Sequence, residues 1–160
     1  MNRYFIAIEL PEKVRKGLIS FFYPSLAQNI EGKFVAEEKL HITLLFLGNI
    51  EITPEELDFI EGFKIFKGLK IRGIGAFPSL ENPRTVYAKV YGDLQPEFEK
   101  LCSFFKIKAS ERFTPHVTIC RVKKLINSIK ENDFESTGFE FTADSLHLFN
   151  SDFVSYYKIV

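Results

Sequence analysis

The chain has 160 residues, with 21 Lys and Arg set against 21 Asp and Glu, so it suits one compact domain and has no bulk positive field to drive sequence-independent nucleic-acid binding. Apolar residues make up 46% of it and no long polar or Pro/Gly/Ser-rich run interrupts it, which excludes a disordered or linker-built protein. No stretch has the apolar length to span a bilayer and MNRYFIAIELP lacks a signal-peptide core and cleavage site, so a soluble, cytoplasmic protein is expected. The 18 Phe and absent Trp point to an aromatic core, although counting alone does not separate core rings from exposed stacking rings. Cys102 and Cys120 have neither metal-ligand nor C-x-x-C spacing and read as small buried residues.

Taken in chain order, YFIAIEL (4–10) reads as a buried strand, and Pro11 opens a helix with Val14, Leu18, Phe21 and Phe22 at helical spacing, ending or kinking at Pro24. A turn containing Gly32 leads to the strand KLHITLLFLG. In TPEELDFIEGF, Thr53 is a natural N-cap, Pro54 takes the first helical position and Glu56 completes a capping box. LKIRGIGAF (69–77) reads as a glycine-containing strand and FPSLENPR as a turn-rich connection. The second half repeats the order: the strand TVYAKVYG, a helix from about Gln95 with Phe98, Leu101, Phe104 and Phe105 on its apolar side, then the strand HVTICRV. KLINSIKEN is predicted as a short helix, and FEFTADSLHLF and SYYKIV as two closing strands. Interleaved helices with adjacent closing strands favour α+β architecture over a doubly wound parallel sheet: two mostly antiparallel sheets facing a cleft, helices outside. The repeated order divides one domain into two similar lobes, roughly 1–80 and 81–160.

Two of the chain's 3 histidines open apolar strands and are followed two residues later by threonine: His41 and Thr43, His116 and Thr118. Alternation puts each pair on one face of its strand, with Ile42, Leu44 and Phe46, or Val117 and Ile119, on the other. Along the first strand the polar face turns apolar again at Leu45 and Leu47, as at the rim of a cleft. Two imidazoles and two hydroxyls brought together suit phosphoryl transfer: one neutral ring takes a proton, one protonated ring gives one, and the hydroxyls bind phosphate oxygens. No carboxylate or third histidine stands at metal-site spacing nearby, so neither metal nor cofactor is expected. His147, in SLHLF, lacks a hydroxyl two residues on and reads as structural or surface.

These motifs resemble those of the 2H phosphoesterase superfamily. RYFIAIELP, HITLLFLGNI, FPSLENPR and FTPHVTICRV together are similar to its RNA 2′,3′-cyclic phosphodiesterase branch, also called 2′-5′ RNA ligase-like, over nearly the whole chain. The resemblance implies a bilobal fold and metal-independent hydrolysis of a terminal RNA 2′,3′-cyclic phosphate to a 2′-phosphate. It makes His41 the proton donor to the departing 3′ oxygen, His116 the base that activates water, and Thr43 and Thr118 the phosphate ligands. Arg121 matches an arginine usual in the branch, but strict alternation turns it away from His116, so a bulge, a strand end or a different approach is needed for it to reach phosphate or ribose. Arg84 matches a basic position before its strand and reads either as a phosphate contact or as a solvated charge. Phe46 and Phe113 border the motifs and offer rings to a base or to the core. The implied partner is an RNA end or related nucleotide bound by a monomer, with no membrane involved. A 2′-5′ RNA ligase and a noncatalytic RNA-end binding module remain as alternatives.

Overall fold

The computed structural model describes residues 3–109, 112–151 and 156–159. In chain order it comprises β1 (Arg3–Glu9), α1 (Glu12–Ala27), β2 (Ile30–Phe34), β3 (His41–Gly48), α2 (Pro54–Gly62), β4 (Lys67–Pro78), β5 (Pro83–Tyr91), α3 (Gln95–Phe105), β6 (His116–Leu125), β7 (Gly138–Ala143), β8 (His147–Ser151) and β9 (Tyr156–Lys158). Short 3-10 turns occupy Glu37–Lys39 and Glu131–Phe134. Among the described residues every strand pairing is antiparallel, in the order β7-β4-β5-β6-β3-β1-β8-β9, with β2 also on β6. The fold is α+β, and its two antiparallel sheets are halves of one continuous sheet, joined between β3 and β6 at Ile42 and Val117.

That bridge pairs the middle residues of the two His-x-Thr motifs, and the strand order unrolls alike on either side of it: β6, β5, β4 one way and β3, β1, β8 the other. Each half of the sheet draws on both ends of the chain, since β4 pairs with β5 and β7 while β8 returns to β1 with β9 beside it. Two of the helices also reach across the midline. α1 packs on β7 and β2, and α3 packs on β3.

The helices and one face of the sheet enclose the main core. α1 buries Val14, Leu18, Phe22 and Leu26, spaced four apart, against a cluster that includes Ile6, Ile8, Ile42 and Leu44. Fully burying a side chain of this size contributes about 1.5–3 kcal/mol. The other face of the sheet carries a separate, smaller group, Phe5, Ala7 and Phe149. The α2 start is as predicted: Thr53 accepts from the Glu56 N–H at 3.1 Å, and the Glu56 carboxylate accepts from the Thr53 N–H at 2.9 Å.

Four local expectations change. α1 continues through Pro24 to Ala27, because Ser20, whose carbonyl loses its helical donor, is exposed to water while Phe22 and Leu26 anchor the last turns. Gly32 lies within β2 rather than in a turn. The predicted helix over KLINSIKEN is absent: β6 runs to Leu125, and the Asn127 N–H and side chain donate to the Asn29 and Gln28 carbonyls, both at 3.0 Å, holding the backbone against the end of α1. Only Glu131–Phe134 turns, with Phe134 stacked on Phe22 at 5.7 Å. Finally, FEFTADSLHLF is two strands, because β7 pairs with β4 at one end of the sheet and β8 pairs with β1 in the other half. Of SYYKIV, Tyr156–Lys158 form β9, and Ser155 and Val160 lie outside the described residues.

Candidate active site

His41 pairs across the sheet with Glu9 and Thr43 with Ala7; His116 pairs with Lys89 and Thr118 with Tyr87. Through the Ile42 and Val117 bridge the motifs run past each other in opposite directions. With Ile42 and Val117 fully buried in the main core, the four polar side chains share the face turned from the helices.

Each motif is followed by a β-bulge at the same place. Thr43 is opposite Ala7 but Leu45 is opposite Ile6, and Thr118 is opposite Tyr87 but Cys120 is opposite Val86, so each motif strand has one extra residue. The adjacent pairs Leu44 and Leu45, and Ile119 and Cys120, are both buried, which shifts the alternation by one. Phe46 therefore leaves the apolar face predicted for it and stands 72% exposed beside Phe5, at 6.1 Å between centroids. Leu45 and Leu47, expected on the His41 face, belong to the main core. Arg121 pairs with Thr85 and so turns to the His116 face, through the bulge that its reach requires.

The two imidazoles are oriented alike. His41 Nδ1–H donates to the Lys39 carbonyl at 2.6 Å, and His116 Nδ1–H donates to the Thr114 carbonyl at 3.0 Å, in each case two residues earlier in the chain. A carbonyl only accepts, so Nδ1 carries a proton in both rings and Nε2 is left for proton exchange. The Nε2 of His41 is 2.9 Å from the Thr43 hydroxyl. Aromatic rings seat each imidazole: Phe5 and Phe149 lie along His41 at 5.0 and 6.1 Å, whereas Phe77 meets His116 edge-on at 5.2 Å with Tyr87 at 5.1 Å. Burial holds the His41 pKa below its ordinary value; the Lys39 carbonyl opposes this, and the charges of His116 and Arg121 add to the lowering.

The remaining candidates are placed elsewhere. Arg84 is exposed at the start of β5, the extra residue of a bulge between Pro83 and Thr85. Phe113 stacks on Phe98 at 4.7 Å, and its N–H donates to Gln95, which makes it a packing residue beside α3. His147 pairs with Ala7 and its Nε2 lies 3.2 Å from the Ser145 hydroxyl, so it shares the sheet face of His41 without a His-x-Thr geometry. Both cysteines are buried thiols, and burial pushes Cys120 up to about 11. Among the described residues no three His, Cys, Asp or Glu side chains are grouped to hold a metal ion, and no helix is long and apolar enough to cross a membrane. Sequence reasoning missed the ring seats. Tyr87 and Phe77 read only as strand residues, and their contact with His116 depends on a register that no local pattern encodes.

A duplicated α+β sheet with one His-x-Thr strand from each repeat at its midline has the architecture of the 2H phosphoesterases. The family model described as LigT like Phosphoesterase matches residues 8–87 and 90–155, and the chain belongs to that family. An RNA 2′,3′-cyclic phosphodiesterase of Methanocaldococcus jannaschii is 30% identical, the alignment covering 93% of this chain and 91% of the relative. Another of the same name from Thermotoga maritima is 29% identical, with 93% and 86% covered. Among solved structures, a protein of Thermus thermophilus superposes with a TM-score of 0.73 at 27% identity, over 99% of this chain and 95% of that one.

Proposed function

We propose that this protein hydrolyses the terminal 2′,3′-cyclic phosphate of RNA to a 2′-phosphate without a metal ion. The observation that carries this reading is the matched pair of imidazoles, each held through Nδ1 by the carbonyl two residues before it, leaving Nε2 for proton exchange on a shared face. His116 takes a proton from water as the water oxygen attacks phosphorus. The bond from phosphorus to the 3′ oxygen breaks, and His41 gives that oxygen its proton, leaving a 3′-hydroxyl and a 2′-phosphate. Thr43 and Thr118 donate to the non-bridging oxygens, Arg121 meets the phosphate or the ribose beside it, and Phe46 offers its exposed ring to the terminal base. Positioning the phosphate between acid and base, and stabilising its developing charge, supplies most of the acceleration. The names of the relatives support the same substrate class.

The test is turnover of a nucleoside 2′,3′-cyclic phosphate in excess chelator, with the product resolved as 2′- or 3′-phosphate. A 2′-phosphate is expected, and His41→Ala and His116→Ala should each lower kcat by about 10²–10⁴. Full activity in either variant overturns the assignment, a 3′-phosphate product reverses the acid and base, and binding without turnover by the wild type leaves a binding module instead.

A further inference from the structure

β6 does not end at the site. Beyond Thr118 it runs through Arg121 to Leu125, with β2 paired along this part of it. Lys33 is directly opposite Arg121, so the two side chains share a face. A second bulge makes Lys123 an extra residue on β6 and sets Lys124 opposite Glu31. Alternation along β2 puts Glu31 and Lys33 on one face, which brings Lys124 to the same face as Arg121 and the histidines. Arg121, Lys33, Lys124 and Glu31 are all exposed, and among the described residues neither Lys33 nor Lys124 makes a salt bridge. From Thr118 to Lys124, with one extra residue at each of the two bulges, the strand covers about 13 Å.

The opposite flank is different in kind. The position on β3 equivalent to Arg121 is Phe46, with Phe5 and Phe149 behind it. Rings lie beside both imidazoles, and Arg3 shares the face of Phe5; beyond the histidines, however, the β6–β2 side carries three cations and one carboxylate where β3 presents the exposed Phe46.

We propose that the cationic flank carries the body of the RNA. Single-stranded RNA leading to the cyclic phosphate runs from the histidines along β6, its backbone phosphates on Arg121, Lys33 and Lys124, while the terminal base lies toward Phe46. Continuity with the site and charge complementarity to a phosphodiester chain select this occupant. The inference rests on the reading of the site as a cyclic phosphodiesterase, and it adds a substrate preference: an oligonucleotide end is favoured over a mononucleotide, through contacts that carry no base information. It also suits a chain of zero net charge, because three cations grouped beside the site supply local positive charge that the bulk composition lacks.

The experiment compares adenosine 2′,3′-cyclic phosphate with a hexanucleotide bearing the same end, in the wild type, Lys33→Gln/Lys124→Gln and Lys33→Arg/Lys124→Arg. Hexamer KM is expected below mononucleotide KM in the wild type and the Arg pair, and to rise toward it in the Gln pair, with mononucleotide kinetics unmoved. Binding of a labelled hexamer ending in 2′-phosphate is followed by anisotropy against salt. With each single-strand contact contributing a slope of about 0.7, a fourfold rise in salt should weaken the wild type about sevenfold more than the Gln pair. Equal slopes, or a hexamer no better than the mononucleotide, overturn the track while leaving the cyclic phosphodiesterase reading intact. Salt-dependent hexamer binding that the Gln pair loses, without turnover of either substrate, removes that reading and leaves the track.

Discussion

The imidazole of His41 is fixed at both nitrogens, Nδ1 on the Lys39 carbonyl and Nε2 beside the Thr43 hydroxyl, and its faces lie against Phe5 and Phe149. Surroundings of this kind favour the neutral ring, so the folded pKa lies below the unfolded value of about 6.5. Between those two values the unfolded chain binds more protons than the folded one. The stability gained from a neutral His41 is therefore full above about pH 6.5 and is lost as pH falls through the lowered folded pKa. Nitrogen-detected NMR of the free protein should show His41 protonated at Nδ1 and titrating below about 6.5, and added inorganic phosphate should raise that value by favouring the charged ring. His41→Asn should flatten part of the loss of urea stability on going from about pH 7 to about pH 5. A His41 that titrates at or above the ordinary value would sink both expectations. At this scale the identities of the polar four were legible, because a histidine and threonine two apart in an apolar strand have no packing reason to be there. The carbonyl partners and ring seats were not, since residues such as Tyr87 and Phe149 reach the imidazoles only through strand register.

Strands and helix starts follow from local chemistry, so most were visible: alternating apolar runs for the strands, and Thr53, Pro54 and Glu56 for α2. Removing that capping box tests its weight apart from the site. Thr53→Ala should cost about 1 kcal/mol in urea unfolding and leave the kinetics unchanged. Of the matched bulges, the sequence reading raised the one before Arg121 as a possibility and lacked the one before Phe46, although each leaves a trace, an adjacent apolar pair where alternation calls for one apolar residue. They decide which face of the sheet Phe46 and Arg121 take. Gly32 holds β2 close to the second bulge: a Cβ there would overlap the Arg121 backbone carbonyl and stand 3.0 Å from both Cys120 Sγ and Val122 Cα. A backbone oxygen cannot move aside as a side chain can. Gly32→Ala should destabilise the protein by about 1–3 kcal/mol and, by displacing Arg121, raise KM. Unchanged unfolding and kinetics would show that β2 and β6 pair more loosely than this contact implies.

At the scale of the molecule, each half of the sheet takes strands from both halves of the chain. The sheet half built on β6 needs β4 and β2 from the first 80 residues, and the half built on β3 needs β8 from the last 80. The hydrophobic faces interlock likewise. Phe22 of α1 stacks on Phe134 at 5.7 Å, and Phe59 of α2 stacks on Phe104 of α3 at 3.7 Å. Repetition in sequence predicted two similar lobes, but not which strands each would borrow, because an edge strand is recruited by the sheet it completes rather than by its neighbours in the chain. Two pseudo-symmetric lobes forming one cooperative domain are therefore proposed. Expressed separately, 1–80 would expose β4 without β5 or β7 and leave α1 without its β7 packing surface, while 81–160 would leave β8 without β1. Neither fragment should show cooperative thermal unfolding by circular dichroism, and mixing the two should recover both a transition and cyclic phosphate turnover, since the two histidines come from different fragments. A fragment that unfolds cooperatively alone would mean that a lobe is a folding unit in its own right, with the midline joining finished halves rather than completing them.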